Sequence, residues 1–335
     1  MQPYPTPESK QSQTVSPAFS FTPNIQLSAS ATVADTPKQM PKTVPLRTIL
    51  QSFPDFGTSR FPLRPSSLKK IANCNVSAIM EAIGEIIDEG NAGANTGSVT
   101  HEAVAAFHKE QNRQLKEQAG IAAIAASLPK FPLADRRSAE IYFEHYAKDP
   151  RNINAVLATR TVPVGNLRQL ETALELPVKL VLPPHSMDET KEPIHITGTL
   201  DQIRVDNGTL AVYDYKTGET SGFAMINDYA YQLAAYMLAA KYSGWDVTGA
   251  KLIRGYTYRE RARAAELPSP PYVFLDMGLT LKTAEILMDR LRREVMLIRR
   301  GIIDFGPGPH CGYCKLKSHA NCIPLAGNIF GFNWR

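Results

Sequence analysis

Ile194-His-Ile-Thr-Gly-Thr-Leu-Asp201-Gln-Ile-Arg-Val-Asp-Asn207-Gly208-Thr-Leu-Ala-Val-Tyr-Asp214-Tyr-Lys216-Thr-Gly218 is the stretch from which the fold can be read. Asn-Gly between two alternating segments is a strong hairpin signal, because both residues tolerate the positive φ of a type I′ turn. Taking Asn207-Gly208 as the turn sets the register. Asp206 then faces Thr209, Val205 faces Leu210, Ile203 faces Val212, and Asp201 faces Asp214. Side chains alternate along a strand, so Ile203, Val205, Leu210 and Val212 share one face. Asp201, Asp214 and Lys216 extend that face.

Two acids in this position conflict. Directly opposed residues have Cβ atoms about 4.5–5.5 Å apart, and like charges there are destabilising. A carboxylate beside a buried face also loses hydration, which is tolerated with pairing or a metal. A divalent cation between them removes the conflict. Mg²⁺ commonly takes one or two carboxylates together with waters and phosphate oxygens. Lys216, two residues beyond Asp214, points into the same place. Asp, Asp and Lys around a hard cation suit phosphodiester hydrolysis. For any single Asp, a solvated surface carboxylate is the simpler reading; the pair in register, followed by D-x-K, favours the metal.

The G-x-x-D…D-x-K pattern, Gly198 to Asp201 and Asp214 to Lys216, resembles the PD-(D/E)XK nucleases, and specifically their RecB-like branch. The proline that precedes the first acid in that family is replaced by Leu200. The resemblance implies a restriction-endonuclease-like α/β core, a mixed central sheet flanked by helices. It implies that Asp201, Asp214 and the Tyr215 carbonyl bind Mg²⁺ or Mn²⁺, and that Lys216 positions or activates the attacking water. RecB-like nucleases also carry a G-x-x-x-H helix ahead of the sheet. Gly97 and His101 match it, which makes His101 a further ligand, whereas His108 reads as solvated. A Q-x-x-x-Y pair after D-x-K lines the site in that family, and Gln232 and Tyr236 occupy those positions.

The four cysteines, Cys74, Cys311, Cys314 and Cys322, follow the order of RecB-like nucleases of the AddB and CRISPR-associated type. In those a 4Fe–4S cluster takes one Cys before the core and three after it. A local Zn²⁺ site of Cys311, Cys314, His319 and Cys322 is the competing reading. C-x-x-C spacing favours metal ligands over disulfides in an intracellular chain.

The 335 residues carry 37 Lys and Arg against 32 Asp and Glu. From Lys251 onward the balance is 14 against 7, so the basic excess sits at the C-terminal end. That excess suits a polyanionic partner such as DNA. No stretch approaches a membrane span and the start lacks a signal pattern, so the expectation is a soluble intracellular protein, cytoplasmic or nucleoid-associated. No G-x-x-x-x-G-K-[ST] loop is present, so a helicase or recombination partner would be a separate protein. The rival from another class is a non-catalytic nucleic-acid-binding protein on a nuclease scaffold with a structural zinc site.

Residues 1–60, rich in Pro, Ser, Thr and Gln, read as a disordered tail, and 61–335 as the nuclease domain with its C-terminal cysteine cluster. Within the domain, Leu68 to Cys74 and Val76 to Glu89 predict helices, with Gly90, Asn91, Gly93 and Asn95 as a break. Residues 119–150 predict peripheral helices broken near Pro129 and Pro132. Leu170 to Leu182 predicts one strand carrying Glu171 and Glu175, either of which could add an acid to the site. Asp228 to Ala240 predicts a helix. Lys251 to Arg259 predicts a strand, read either as a backbone-contacting surface or as a solvated edge. Tyr272 to Met277 predicts another strand. Leu281, Ala284, Met288, Leu291, Val295 and Ile298 mark the buried stripe of an amphipathic helix. Its Arg290, Arg292, Arg293, Arg299 and Arg300 would face solvent or phosphates.

Overall fold

A computed structural model describes residues 54–73, 75, 78–79, 92–165, 167–217, 223–255 and 272–302, all within one unit, Thr43–Arg335. The four cysteines, and most of the helix expected at Val76 to Glu89, lie outside the described residues. Two helices open the described chain, α1 (Leu68–Asn73) and α2 (Ala92–Lys109). Then come α3 (Lys116–Ser127), α4 (Arg136–Lys148) and the short α5 (Pro150–Ile153). A two-stranded ribbon, β1 (Thr159–Val164) and β2 (Leu167–Thr172), precedes the main sheet. That sheet has the order β3 (Leu174–Leu182), β4 (Ile194–Asp206), β5 (Thr209–Thr217), β6 (Val247–Gly255) and β7 (Tyr272–Asp276). Helices α6 (Phe223–Tyr242) and α7 (Leu281–Arg299) complete it. The fold is thus a mixed sheet between helices, as the sequence predicts.

Asn207 and Gly208 take φ of 49° and 80°, and the β4–β5 register runs as read, from Asp206↔Thr209 to Gln202↔Tyr213. β5 and β6 are parallel, which a tight turn cannot achieve; α6 supplies the crossover. Its run of alanines and large apolar residues is buried on every side from Leu233 to Ala240, against α7 and the sheet.

The hairpin departs from the simple one-sided picture. Ile203 and Val212 are buried, but Val205 is 43% exposed. The opposite face, with Arg204, Ala211, Tyr213 and Tyr215, is buried as well, against a second core built on α2 and α4. Phe107, Ile124, Phe143 and Tyr146 anchor that core, so the helices expected to be peripheral are integral. Burial also changes phase along β4. Ile194, Ile196 and Leu200 belong to the α6–α7 core, and so does Ile203, three residues on. Asp201 and Gln202 occupy the dislocation.

Several further expectations are corrected. The single strand Leu170 to Leu182 is two strands in different sheets. They separate at Ala173, whose N–H still continues the ribbon by donating to Ala158 O while its own carbonyl accepts from the Ile203 N–H of β4. Gly93 and Asn95 do not break a helix but lie in α2, whose Thr96 and Thr100 hydroxyls donate to Ala92 O and Thr96 O. β6 is an interior strand, not an edge, and its Arg254 is buried. Arg299 is buried too. It pairs with Asp188 at 2.7 Å and donates to the carbonyls of Phe56 and Glu192. Arg292 and Arg300 donate to carbonyls of Pro183, Pro184 and Met187. These arginines clamp the β3–β4 loop instead of facing phosphates. Phe56, assigned by composition to the tail, is a core residue at 1% exposure. Leu63 and Gly57 hydrogen-bond along β4 beside His195 and Thr197, covering backbone that would otherwise form an open edge.

Candidate active site

The strands that carry the two acids part company just where those acids stand. The β4–β5 ladder ends at Gln202↔Tyr213, one step short of Asp201 and Asp214. Instead of facing Asp214 across a ladder rung, Asp201 turns its Oδ2 to accept the Tyr215 N–H at 2.7 Å. Opposed like charges disfavour the rung, and the carboxylate replaces a backbone acceptor. On the other side of β4 the same residue interrupts a second ladder. β3 pairs through Leu174↔Gln202 and Leu176↔Leu200, leaving out Glu175 and Asp201. Glu175 has φ 50°, an uncommon conformation for a side chain of its kind, at a one-residue break in the pairing that leaves the register unchanged on either side.

That break turns a third acid inward. Ligand atoms of His101, Glu175 and Asp201 all lie within 4.8 Å of one another. His101 reaches the cluster from α2, its Nδ1 3.4 Å from Asp201 Oδ1 and its ring edge-on to Tyr215. The helix can approach because residue 97 is glycine: a Cβ there would stand 2.8 Å from Thr217 Oγ1. Position 171, the other acid the sequence left open, pairs with Arg160 on the ribbon.

Asp214 lies on the α6 side of the centre. Its Oδ1 accepts from Gln232 Nε2 at 3.1 Å, and that amide also reaches the Tyr236 hydroxyl at 3.4 Å. Its Oδ2 meets Lys216 Nζ at 2.8 Å as an ion pair, without the alignment of a hydrogen bond, and has no other partner among the described residues. The structure therefore brings His101, Asp201, Asp214, Tyr215, Lys216, Gln232 and Tyr236 together, and adds Glu175. It also places Tyr229, which the sequence reading passed over, with Lys216 Nζ 5.2 Å and Lys69 Nζ 5.3 Å from its ring centre.

The two acids titrate in opposite directions. Burial pushes Asp214 up to about 6, and the Asp201 charge adds to this despite Lys216. Burial acts on Asp201 in the same sense, but His101, Lys216 and the Tyr215 N–H outweigh it and hold the carboxyl below the usual range. Burial and the Asp201 charge push Glu175 up to about 7. Burial opposes the charge on Lys216, yet Asp214 and Asp201 raise its pKa above the ordinary lysine value. His101 is raised as well, because Asp201 overcomes the effect of burial. Three acids share a buried space with two cationic partners, and Asp214 keeps an oxygen without an aligned donor. That surplus of oxygen ligands, with an imidazole, fits a hard divalent cation.

His108 does not point to solvent as expected. Burial, with Arg204 and Lys116 nearby, pushes its pKa down to about 3, and its Nε2 lies 2.6 Å from the Tyr146 hydroxyl.

Comparison with known proteins agrees with this geometry. A curated relative, the Gene 69 protein of Mycobacterium phage L5, is 29% identical over 170 residues, covering 50% of this chain and 50% of its own. The chain thus spans about half the length of that relative. A solved structure described as the crystal structure of SSO0001 has 14% sequence identity and a TM-score of 0.34, covering 82% of this chain and 93% of that one. That likeness is too remote to support an inference. The model of the PD-(D/E)XK nuclease superfamily matches residues 62–319, a span that contains every site residue named above, and by that match the chain belongs to this superfamily.

Proposed function

We propose that the protein is a Mg²⁺- or Mn²⁺-dependent DNA nuclease of the RecB-like branch, hydrolysing phosphodiester bonds, in the manner of an exonuclease, during recombination, repair or phage DNA processing. The observation that carries this reading is the convergence of buried Asp201 and Asp214 with Lys216 and His101 where β4 and β5 diverge. His101, Glu175, Asp201, Asp214 and the Tyr215 carbonyl are the groups that would hold the ion. The N–H and C=O of one strand residue point to the same neighbour, so the Tyr215 carbonyl shares the side from which its N–H meets Asp201. When bound, the ion supplies polarisation of the phosphodiester and a more acidic water.

The remaining roles follow from the chain's own groups. The acids around Lys216 favour its ammonium form, which suits positioning the water. It orients the water and offsets negative charge that develops on the phosphate. Gln232 fixes the rotation of the Asp214 carboxylate. Tyr236, whose hydroxyl is kept protonated by burial and by Asp214 and Asp201, is a donor to the substrate backbone.

The cysteine set belongs to the same proposal. Four thiolates, Cys74, Cys311, Cys314 and Cys322, suit a 4Fe–4S cluster, and the last three with His319 suit zinc. Iron and sulfide in anaerobically purified protein, both lost on Cys74→Ala, support the cluster; stoichiometric zinc unaffected by that change supports the alternative. Among the described residues no helix is long and apolar enough to cross a membrane.

The test is purified protein with Mg²⁺ or Mn²⁺ on end-labelled single- and double-stranded DNA. Metal-dependent cleavage that stops with EDTA is expected. Binding of DNA with no cleavage under either ion would leave only a non-catalytic scaffold.

A further inference from the structure

A cleft of about 540 Å³ opens near the acid cluster. Among the described residues it is lined by His108, Lys109 and Lys116 on one side and by Ala155, Leu157 and Leu174 on the other. It adjoins the cluster twice. Leu174 is the chain neighbour of Glu175. His108 stands seven residues after His101 on α2, on nearly the same side and about 10 Å along the axis. Lys109, in the cleft lining, is close enough for its charge to act on Glu175 and Glu102.

The walls differ in chemistry. Leu157 and Leu174 offer a half-buried apolar surface. Lys109 and Lys116 offer two ammonium groups, while the acid in the lining, Glu110, has its Oε1 engaged by the Asn112 N–H. His108 contributes a donor. The Tyr146 hydroxyl accepts from Arg204 Nη2 at 2.6 Å and from Gln202 Nε2 at 3.4 Å, so we assign His108, 2.6 Å away, the tautomer whose Nε2 accepts the phenol proton. A neutral imidazole with an accepting Nε2 carries its proton on Nδ1, which has no partner among the described residues.

We propose that this cleft is a nucleotide subsite through which one single strand of the nucleic acid passes on its way to or from the acid cluster. Bases lie against Leu157 and Leu174, phosphates meet Lys109 and Lys116, and His108 Nδ1–H reaches an oxygen of the strand. Apolar walls with a few convergent polar groups and a volume in the range of a single small ligand suit one nucleotide, not a duplex. The occupant rests on the nuclease reading; the location and the single-strand preference go beyond it.

The experiment measures binding of fluorescent single-stranded oligonucleotides to the full chain in EDTA, as a function of salt. Each phosphate contact on a single strand contributes about 0.7 to the slope of log affinity against log salt. Lys109→Ala with Lys116→Ala should therefore lower that slope by about 1.4, and Lys109→Arg with Lys116→Arg should restore it. Ala155→Trp, which fills the cleft without changing charge, should weaken binding about tenfold. An unchanged slope in the double alanine variant, or wild-type affinity in Ala155→Trp, overturns the subsite. Cleavage is scored separately. Protein that binds in this way yet never cuts refutes the nuclease reading alone; protein that cuts with an unaltered slope refutes the subsite alone.

Discussion

Two buried polar clusters sit on the β4–β5 hairpin, and they are built on opposite rules. Facing α4, Arg204 donates to Gln202 Oε1 at 2.8 Å, to Asn152 Oδ1 at 3.1 Å and to the Tyr146 hydroxyl at 2.6 Å, with its guanidinium over the Tyr213 ring. Asn152 in turn donates to Tyr146 O. There is one cation, its partners are neutral, and the nearest imidazole is driven neutral as well. Between α2 and α6, Asp201 and Asp214 share a buried space, one held below the usual carboxylate range and the other pushed up to about 6. The first cluster satisfies its members and so rigidifies the α4 side. The second leaves a conflict that a cation from outside can resolve. Perturbed and incompletely matched groups of this kind concentrate at functional sites.

The comparison can be broken most sharply at Asp214. Asp214→Asn should reduce cleavage about a thousandfold, the scale of losing a group that acts on the reacting centre, while the melting temperature in EDTA holds or rises. An asparagine variant that cuts like the parent would show that the α6-side cluster is no more catalytic than the α4-side one.

Lys216→Ala should lower kcat about a hundredfold with a smaller change in KM, because its charge is needed most in the transition state. Equal affinity loss with kcat intact would make it a plain phosphate contact.

On the other face the readout is stability. Arg204→Met leaves Gln202, Asn152 and the Tyr146 hydroxyl without their donor in a buried site, and should destabilise by about 3 kcal/mol. Denaturant titration checks this. A loss under about 1 kcal/mol would mean that the network relaxes and does not rigidify the fold.

The smallest expected effect sharpens the contrast by pH. Glu175 has a folded pKa near 7 against an ordinary 4.5, so the folded chain binds the proton more tightly than the unfolded chain. Stability in EDTA should then fall as pH rises through that window. Glu175→Gln has no proton to lose, so its melting temperature relative to wild type should climb by about 2–4 °C between pH 5 and pH 8. Added Mn²⁺ should remove much of this difference in favour of wild type, since cation and proton compete for the same oxygens. A pH-independent difference would remove Glu175 from the cluster.

Much of this site was legible in the residues. Asn207-Gly208 determines the hairpin register through the φ that its turn requires. Register and a period of two then bring Asp201, Asp214 and Lys216 to one end of it. A period of 3.6 determines the buried stripe of α7, from Ala284 to Ile298. These are local relations, written in spacing and in the torsions that single residues accept.

What only the tertiary structure decided lies where two segments distant in sequence must share one space. Glu175 and Glu171 are indistinguishable in spacing. The choice falls on Glu175 because β3 unpairs from β4 opposite Asp201, and that depends on the strand beside it. Arg299 reads as facing solvent or phosphates, and no spacing singles out Arg204. They are buried because Asp188 in one case, and Asn152 and Tyr146 in the other, wait over 50 residues away to receive them. Likewise Phe56 is core only because β4 leaves backbone uncovered beside it. Periodicity reports which side of an element turns inward, but the partner that makes a buried charge tolerable is a property of packing.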